Sequence, residues 1–326
     1  MLLTLIALAI AATPPKLKFS AWVVLWDGGE AVKSFEQKAS RIDEINVDWI
    51  SMDKQGSPVR AALVTEQLKQ RIFKTAHLHH IKTFGLAANS SGDDFNGDYV
   101  HTFLADPQKS DMHARALVDI VVKDGLDGLD LDYESLKAED RDRFSDFVAL
   151  LAQHLHAKKK LLSIAVHAKE GEPGNWNGAQ AQDWTALGKA VDRFRIMGYD
   201  EHETGSVAGP VASTPWIKRV LAFAVSVVPK GKIDLGIPGY GYDWSKKPVA
   251  SLDWPDFQRA LAGRNPIRDA ASSELTFNYP EGGAIWFADG ASIAPKIEEA
   301  RRLGIRGLVL WRLGSEDPDL WNYLGK

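Results

Sequence analysis

The chain contains no cysteine. That absence excludes disulfides, thiolate metal sites, a cysteine nucleophile and a lipid-modified anchoring cysteine, and it leaves the redox compartment open. A large charge of either sign is also missing: 39 basic and 43 acidic residues leave a net charge of −4, which gives no electrostatic case for nucleic acid or an anionic membrane surface. No apolar run is long enough to span a bilayer, since the longest, over residues 2–12, falls well short of the roughly 20 residues a span needs. Internal repeats, low-complexity tracts and Gly-rich phosphate loops are absent too. Gly239-Tyr240-Gly241 lacks the third glycine of a nucleotide fingerprint, so no cofactor is expected.

What remains is an ordinary globular composition, 45% apolar and 25% charged over 326 residues, for which one main domain is the expectation. Residues 2–12 have the length of a signal-peptide core, and Ala9-Ile10-Ala11 supplies a small-residue cleavage site, although Lys and Arg are missing ahead of the run. Export to the periplasm or the medium is therefore expected, with Thr13-Pro14-Pro15 as a short extended linker. The eleven tryptophans are a mild excess. Trp22, Trp26 and Trp311 lie near candidate strands, where they suit a pocket that stacks on flat ligand faces, core packing being the plain alternative.

From Lys18 onward, short β-rich apolar runs alternate with amphipathic helical stretches. Strands are expected over 19–26, 44–52, 81–88, 128–134, 161–167, 193–199, 232–238 and 306–311, with helices such as 65–77, 111–123, 138–157, 214–228 and 292–303 between them. Eight strands with crossover helices predict an α/β fold, a closed (β/α)8 TIM barrel over 17–326. The seventh and eighth strands are separated by about seventy residues where one helix would suffice. A small α+β insertion over 243–287 fills the gap, with a helix over 254–262 and strands over 267–271, 274–279 and 284–287. Barrel active sites form at the carboxyl ends of strands. Glu134, His167, Tyr199, Asp200, Tyr240 and Trp311 all fall there and define one candidate pocket.

The fourth strand is the most informative. Asp127-Gly128-Leu129-Asp130-Leu131-Asp132-Tyr133-Glu134 alternates acids with apolar residues at period two, so one face is carboxylate-lined. Unpaired charges are too costly to bury in an apolar core, and that face must line a polar cavity. Side chains two apart start roughly 6.6 Å from one another, near enough for Asp132 and Glu134 to share a proton and for one of them to become a general acid. Other polar clusters carry less. His77, His79 and His80 lack fixed ligand spacing, and the run 93–98 lacks the glutamate of a calcium loop, Ala105 standing at its twelfth position, so no metal site is expected.

The acidic strand matches without a gap the DGxDxDxE fingerprint of glycoside hydrolase family 18, the chitinase-like barrel enzymes, which this chain resembles. Met197-Gly198-Tyr199-Asp200 corresponds to that family's Met-x-Tyr-Asp motif on the sixth strand, and Trp311 to its strand-eight tryptophan. Finer similarity is to the bacterial branch that includes spore-cortex lytic N-acetylglucosaminidases. It rests on Tyr199-Asp200-Glu201-His202, Gly209-Pro210-Val211-Ala212-Ser213, the run from Gly236 to Trp244, and Trp286-Phe287-Ala288-Asp289. Two departures stand out, Glu203 where that branch commonly has tryptophan and Gly198 where threonine is usual.

The resemblance implies a retaining hydrolase of N-acetylglucosamine-containing glycans that uses the substrate's own acetamido oxygen as nucleophile. Glu134 would be the acid and then the base. Asp132 would orient the acetamido nitrogen, and Asp130 would hold Asp132 and raise its proton affinity. Tyr199 would position the acetamido oxygen, Asp200 would contact a sugar hydroxyl, and Trp311 would floor the subsite, with Tyr240, His167 and Trp26 as further substrate contacts. The expected partner is a neutral N-acetylglucosamine polymer, peptidoglycan ahead of chitin-type glycans, and a monomer is expected. A non-catalytic sugar-binding protein on the same fold and a metal-dependent hydrolase are the rival readings. Relatives of the first kind lose the acid at the Glu134 position, and the second has His167 alone for support.

Overall fold

The computed structural model describes residues 16–90, 92 and 94–324, so the export segment and linker expected over 2–15 lie outside the described residues. Eight parallel strands form the barrel: β1 (Lys18–Val23), β2 (Glu44–Met52), β3 (Lys82–Ala88), β4 (Gly128–Asp132), β5 (Leu161–His167), β6 (Arg193–Met197), β7 (Ile233–Pro238) and β8 (Gly307–Trp311). Each strand pairs with the next, and β1 pairs with both β2 and β8, so the sheet closes on itself and leaves no open edge. The alternation read in β4 now has directions. Leu129 and Leu131 point out to the helical layer, Asp130 and Asp132 point into the barrel, and all four are buried.

Helices begin where the sequence supplies side-chain acceptors for their first-turn N–H groups: Thr65, Asp106, Ser213 and Asp289 each cap one. Helix Pro107–Asp124 starts one turn earlier than its apolar periodicity suggests, because Asp106 accepts from Gln108 and Lys109 and Pro107 occupies the first helical position. Asp94 and Asn96 belong to a strand-to-helix loop, and Asn96 caps helix Gly97–Leu104, whose first turn holds Asp98. No helix among the described residues is long and apolar enough to cross a membrane.

Between β7 and helix Gly290–Leu303 the chain builds a second sheet of five short antiparallel strands, ordered Ala250–Leu252, Gly241–Asp243, Ala284–Phe287, Leu275–Asn278 and Ile267–Arg268. Helix Trp254–Leu261 covers it, with Phe257 stacked on Phe287 at 4.5 Å. The strand expected over 267–271 stops at Arg268, since the Asp269 carboxylate accepts from the Ser272 amide and hydroxyl and turns the chain. This sheet carries Tyr242 and begins directly after Tyr240, so it aims two tyrosines at the barrel mouth.

Two glycines draw β6 and β7 together beneath that mouth. A side chain at Gly198 would meet the Gly236 carbonyl at 2.6 Å, and one at Gly236 would meet the Ile196 carbonyl at 2.5 Å. The departure at Gly198 is thus a packing requirement of this chain.

Candidate active site

Glu134 lies beyond the end of its strand. The expected strand over 128–134 stops at Asp132, the last residue in register with β3, where it faces Ala88. The ladder is continued by a side chain instead: Asn89, fully buried, accepts from the Glu134 N–H at 2.8 Å and donates to the Glu134 carbonyl at 2.9 Å. A single amide replaces a pair of backbone partners and fixes the Glu134 backbone, a role that sequence reasoning missed because an asparagine after a strand reads first as a turn residue. Asn89→Ala is expected to lower kcat about 10- to 100-fold by loosening the position of the acid. Turnover measured beside a melting curve checks this, and an unchanged kcat would mean that the loop is held by other contacts.

The electrostatics of the three acids differ. Burial, with the Asp200 charge second, pushes the Glu134 carboxyl up to about 7. Asp132 is raised well above the usual carboxylate range by burial first, then by the charges of Glu134, Asp130 and Asp48. Its Oδ1 is buried and has no hydrogen-bond partner in the protein. Asp130 raises the proton affinity of Asp132 by its charge, as expected, but its own hydrogen bond is made elsewhere. Its Oδ2 accepts from Trp22 Nε1 at 2.8 Å and faces Arg195 Nη1 at 3.5 Å, so its partners lie deeper in the barrel.

Asp48 was not singled out from the sequence. It sits on β2 beside a register shift between residues 48 and 50, and burial pushes its carboxyl up to about 6. Such irregularities re-aim side chains, and a lone Asp in an apolar strand gives no periodic signal.

Two cavities meet at Trp311, which is joined to Arg312 by a cis peptide. The larger, about 710 Å³, is lined by Glu134, His167, Tyr199 and Asp200. The other, about 570 Å³, is lined by Asp132, Asp48 and Trp26. Trp311 therefore lines both cavities on which the two outer carboxylates of the β4 motif open, and Trp22 braces it edge-on at 5.7 Å. Trp26 lines the second cavity and a smaller side pocket, not the larger one. Its ring is 61% exposed and lies under the Arg312 guanidinium at 4.6 Å, a rim position.

Asp200 adopts φ 60°, which turns its carboxylate toward the insertion, where Oδ1 accepts from Tyr240 at 2.5 Å and Tyr242 at 2.8 Å. Burial raises its proton affinity against those two hydrogen bonds. Tyr240 thus reaches the cavity through Asp200 and lines a side pocket of about 310 Å³ with it. His167, at the end of β5, has Nε2 3.8 Å from the Glu134 carboxylate. Burial, helped by Lys169, lowers its pKa to about 4, so the ring is neutral at pH 7. Trp176 packs on it at 4.4 Å, and Trp176 and Trp216 line the larger cavity together with Glu203. Where Glu203 replaces the branch's tryptophan, Trp176 and Trp216 from other segments give this cavity its aromatic surface. No group of three or more His, Asp or Glu side chains among the described residues is arranged to hold a metal ion.

The model of Glycosyl hydrolases family 18 matches residues 22–317, which span β1 to the loop after β8. Among curated proteins, a glycosylase of Bacillus subtilis (strain 168), Uncharacterized glycosylase YvbX, is 27% identical over 296 residues, covering 87% of this chain and 84% of its own. The Cortical fragment-lytic enzyme of Bacillus anthracis is 27% identical over 270 residues, covering 77% of this chain and 62% of its own. Among solved structures, the chitinase from Chromobacterium violaceum ATCC 12472 superposes with a TM-score of 0.85 at 29% identity, covering 94% of this chain and 98% of its own.

Proposed function

The chain belongs to the glycosyl hydrolases of family 18 and is a glycoside hydrolase, and from that premise we propose that it cleaves peptidoglycan glycan strands at N-acetylglucosamine with retention, through an oxazolinium intermediate. One observation carries the mechanism. The two outer carboxyls of the β4 motif open on adjoining cavities that share Trp311, one of them able to deliver a proton near pH 7 and the other buried with an oxygen that no protein group satisfies.

In this reading Glu134 gives its proton to the glycosidic oxygen as the bond to the anomeric carbon breaks. The carbonyl oxygen of the same sugar's acetamido group bonds to that carbon from the opposite face. Asp132 accepts a hydrogen bond from the acetamido N–H and balances the positive charge that develops there. Tyr199, buried beside both acids, orients the acetamido oxygen, and Trp311 stacks under the ring. Water then attacks the anomeric carbon, Glu134 accepts its proton, and the two inversions give net retention. The attacked sugar sits where the two cavities meet at Trp311, within reach of Tyr199 on one side and Asp132 on the other, and the leaving sugar extends along the larger cavity past Glu134.

Peptidoglycan is favoured by the cortical fragment-lytic relative, and chitin-type oligosaccharides by the Chromobacterium chitinase. Incubation with purified peptidoglycan and with N-acetylchitooligosaccharides, followed by mass spectrometry of the new reducing ends, separates the two. Glycan fragments ending in N-acetylglucosamine are expected from peptidoglycan, and de-N-acetylated strands are expected to resist. Turnover of chitooligosaccharides with every form of peptidoglycan untouched would overturn the substrate assignment. Binding without turnover of either would overturn the enzyme in favour of the sugar-binding reading.

A further inference from the structure

The interior of a (β/α)8 barrel is ordinarily filled by branched apolar side chains in layers. Below the acids of β4 this barrel is filled by charge. Arg193 and Arg195 project inward from β6, Glu44 from β2, Asp234 from β7, and Arg306 reaches in from just before β8. Glu44 meets all three guanidiniums, Arg193 and Arg195 at 3.1 Å and Arg306 at 2.6 Å, and Asp234 meets Arg306 at 2.7 Å. Burial opposes ionisation of Glu44, but the three arginines outweigh it and hold its carboxyl below the usual range.

The charges of this floor do not cancel by themselves: three guanidiniums face two carboxylates. The surplus sits on Arg195, which is fully buried and lies over the Phe84 ring at 5.2 Å. Its Nη2 donates to Glu44, while Nε and Nη1 have no hydrogen-bond partner in the protein. Nε faces Asp234 at 3.6 Å and Nη1 faces Asp130 at 3.5 Å. A buried N–H without a partner is costly, and a fold that tolerates two of them on one guanidinium has a use for the charge. The third carboxylate that balances the floor is Asp130, two residues from Asp132.

We propose that Arg195 is a positioning residue for the hydrolytic reaction, a buried cation that clamps Asp130 from below so that Asp132 can serve as the anion of the site and Glu134 as its acid. The proposal rests on the roles given above to Asp132 and Glu134. Trp22 from β1 and Arg195 from β6 share the Oδ2 atom of Asp130, and Oδ1 is left as its free buried edge. The charged and titratable groups facing the cluster are Asp48 from β2, Glu134 beyond β4, Tyr199 beyond β6, and the floor residues already named. Arg195 is the one cation among them in contact with a β4 acid.

Removing a buried positive charge raises the proton affinity of every carboxyl around it. Arg195→Met is therefore expected to move both limbs of the kcat/KM pH profile to higher pH by about one unit and to lower kcat about 10- to 100-fold, with KM held within about threefold. Arg195→Lys keeps the charge without the planar fork and is expected to return the profile toward its original position with partial recovery of kcat. Asp234→Asn removes an anion from the other side of the guanidinium and is expected to move the profile the opposite way.

The substrate for these measurements is an aryl β-glycoside of di-N-acetylchitobiose, read beside melting curves for each variant. A purely structural Arg195 would lower the melting temperature and leave both limbs in place, and that result overturns the proposal. Should Arg195→Met fail to fold, Asp234→Asn alone carries the test through its opposite shift, with an unmoved profile again decisive against the proposal. A Glu134→Gln variant that keeps full activity would instead remove the assignment on which the proposal rests, so the two failures are distinguishable.

Discussion

Replacing Glu134 with Gln is expected to lower kcat by about 10³- to 10⁴-fold, toward the upper end of what general acid–base catalysis supplies, while glycan binding persists. The substitution preserves size and hydrogen-bonding shape and removes only the transferable proton. Both half-reactions lose by it, since the amide can neither protonate the leaving oxygen nor accept a proton from water. The wild-type pH dependence follows from the same group. Burial and the Asp200 charge raise its pKa to about 7, so the acid is charged with its proton below that value and loses it above. Activity should therefore fall as pH rises through about 7, and His167, neutral down to about pH 4, contributes no charge in that window. Single-turnover rates with an aryl chitobioside, together with tryptophan fluorescence on adding chitooligosaccharide, separate chemistry from binding. If the variant kept a tenth or more of wild-type turnover, the acid would have to be sought elsewhere.

How much of this was legible beforehand depended on the kind of signal. The barrel was legible because its evidence is repeated: eight apolar runs separated by helical periodicity each vote for the same architecture, and β2 and β5 fall on the expected bounds. The β4 acids were legible because alternation alone places Asp130 and Asp132 inside. Roles that depend on contacts between distant residues were not. Asn89 holds Glu134 across 45 positions, Trp22 reaches Asp130 across 108, and the Tyr240 and Tyr242 hydroxyls converge on Asp200 from an inserted sheet. Asp48 came to its cavity beside a bulge, Trp176 on a loop and Trp216 in the first turn of helix Thr214–Val227, and none of the three was marked by its local pattern as facing a cavity. The charged barrel floor is the clearest instance. Arg195 and Asp234 look like ordinary interruptions of apolar strands, and only closure of the sheet shows that they meet.

Asp132→Asn gives the second large effect, and its value lies in a paired readout of opposite sign. Asp132 sits where its charge is costly, its proton affinity raised first by burial and then by Glu134, Asp130 and Asp48. An enzyme that needed only a hydrogen-bond acceptor there could use the amide without this penalty. The carboxylate is needed because the acetamido nitrogen becomes positive as its carbonyl bonds to the anomeric carbon, and only an anion in a dry site balances that charge. Turnover by the Asn variant is expected to drop about 10²- to 10³-fold, the range seen when one preorganised group is removed from a developing charge. Stability is expected to move the other way. Because the folded state raises the proton affinity of Asp132, it keeps a proton that the unfolded chain has already released, so this group lowers stability progressively as pH rises above the ordinary carboxylate range near 4. The Asn variant lacks that penalty, and its melting temperature should exceed the wild type's by a margin that grows from about pH 4 toward neutrality. General damage to the site would lower both rate and stability. A variant that is slower and more stable shows that the charge at Asp132 is kept for the reaction, and a variant with unchanged rate would remove the oxazolinium route from this enzyme.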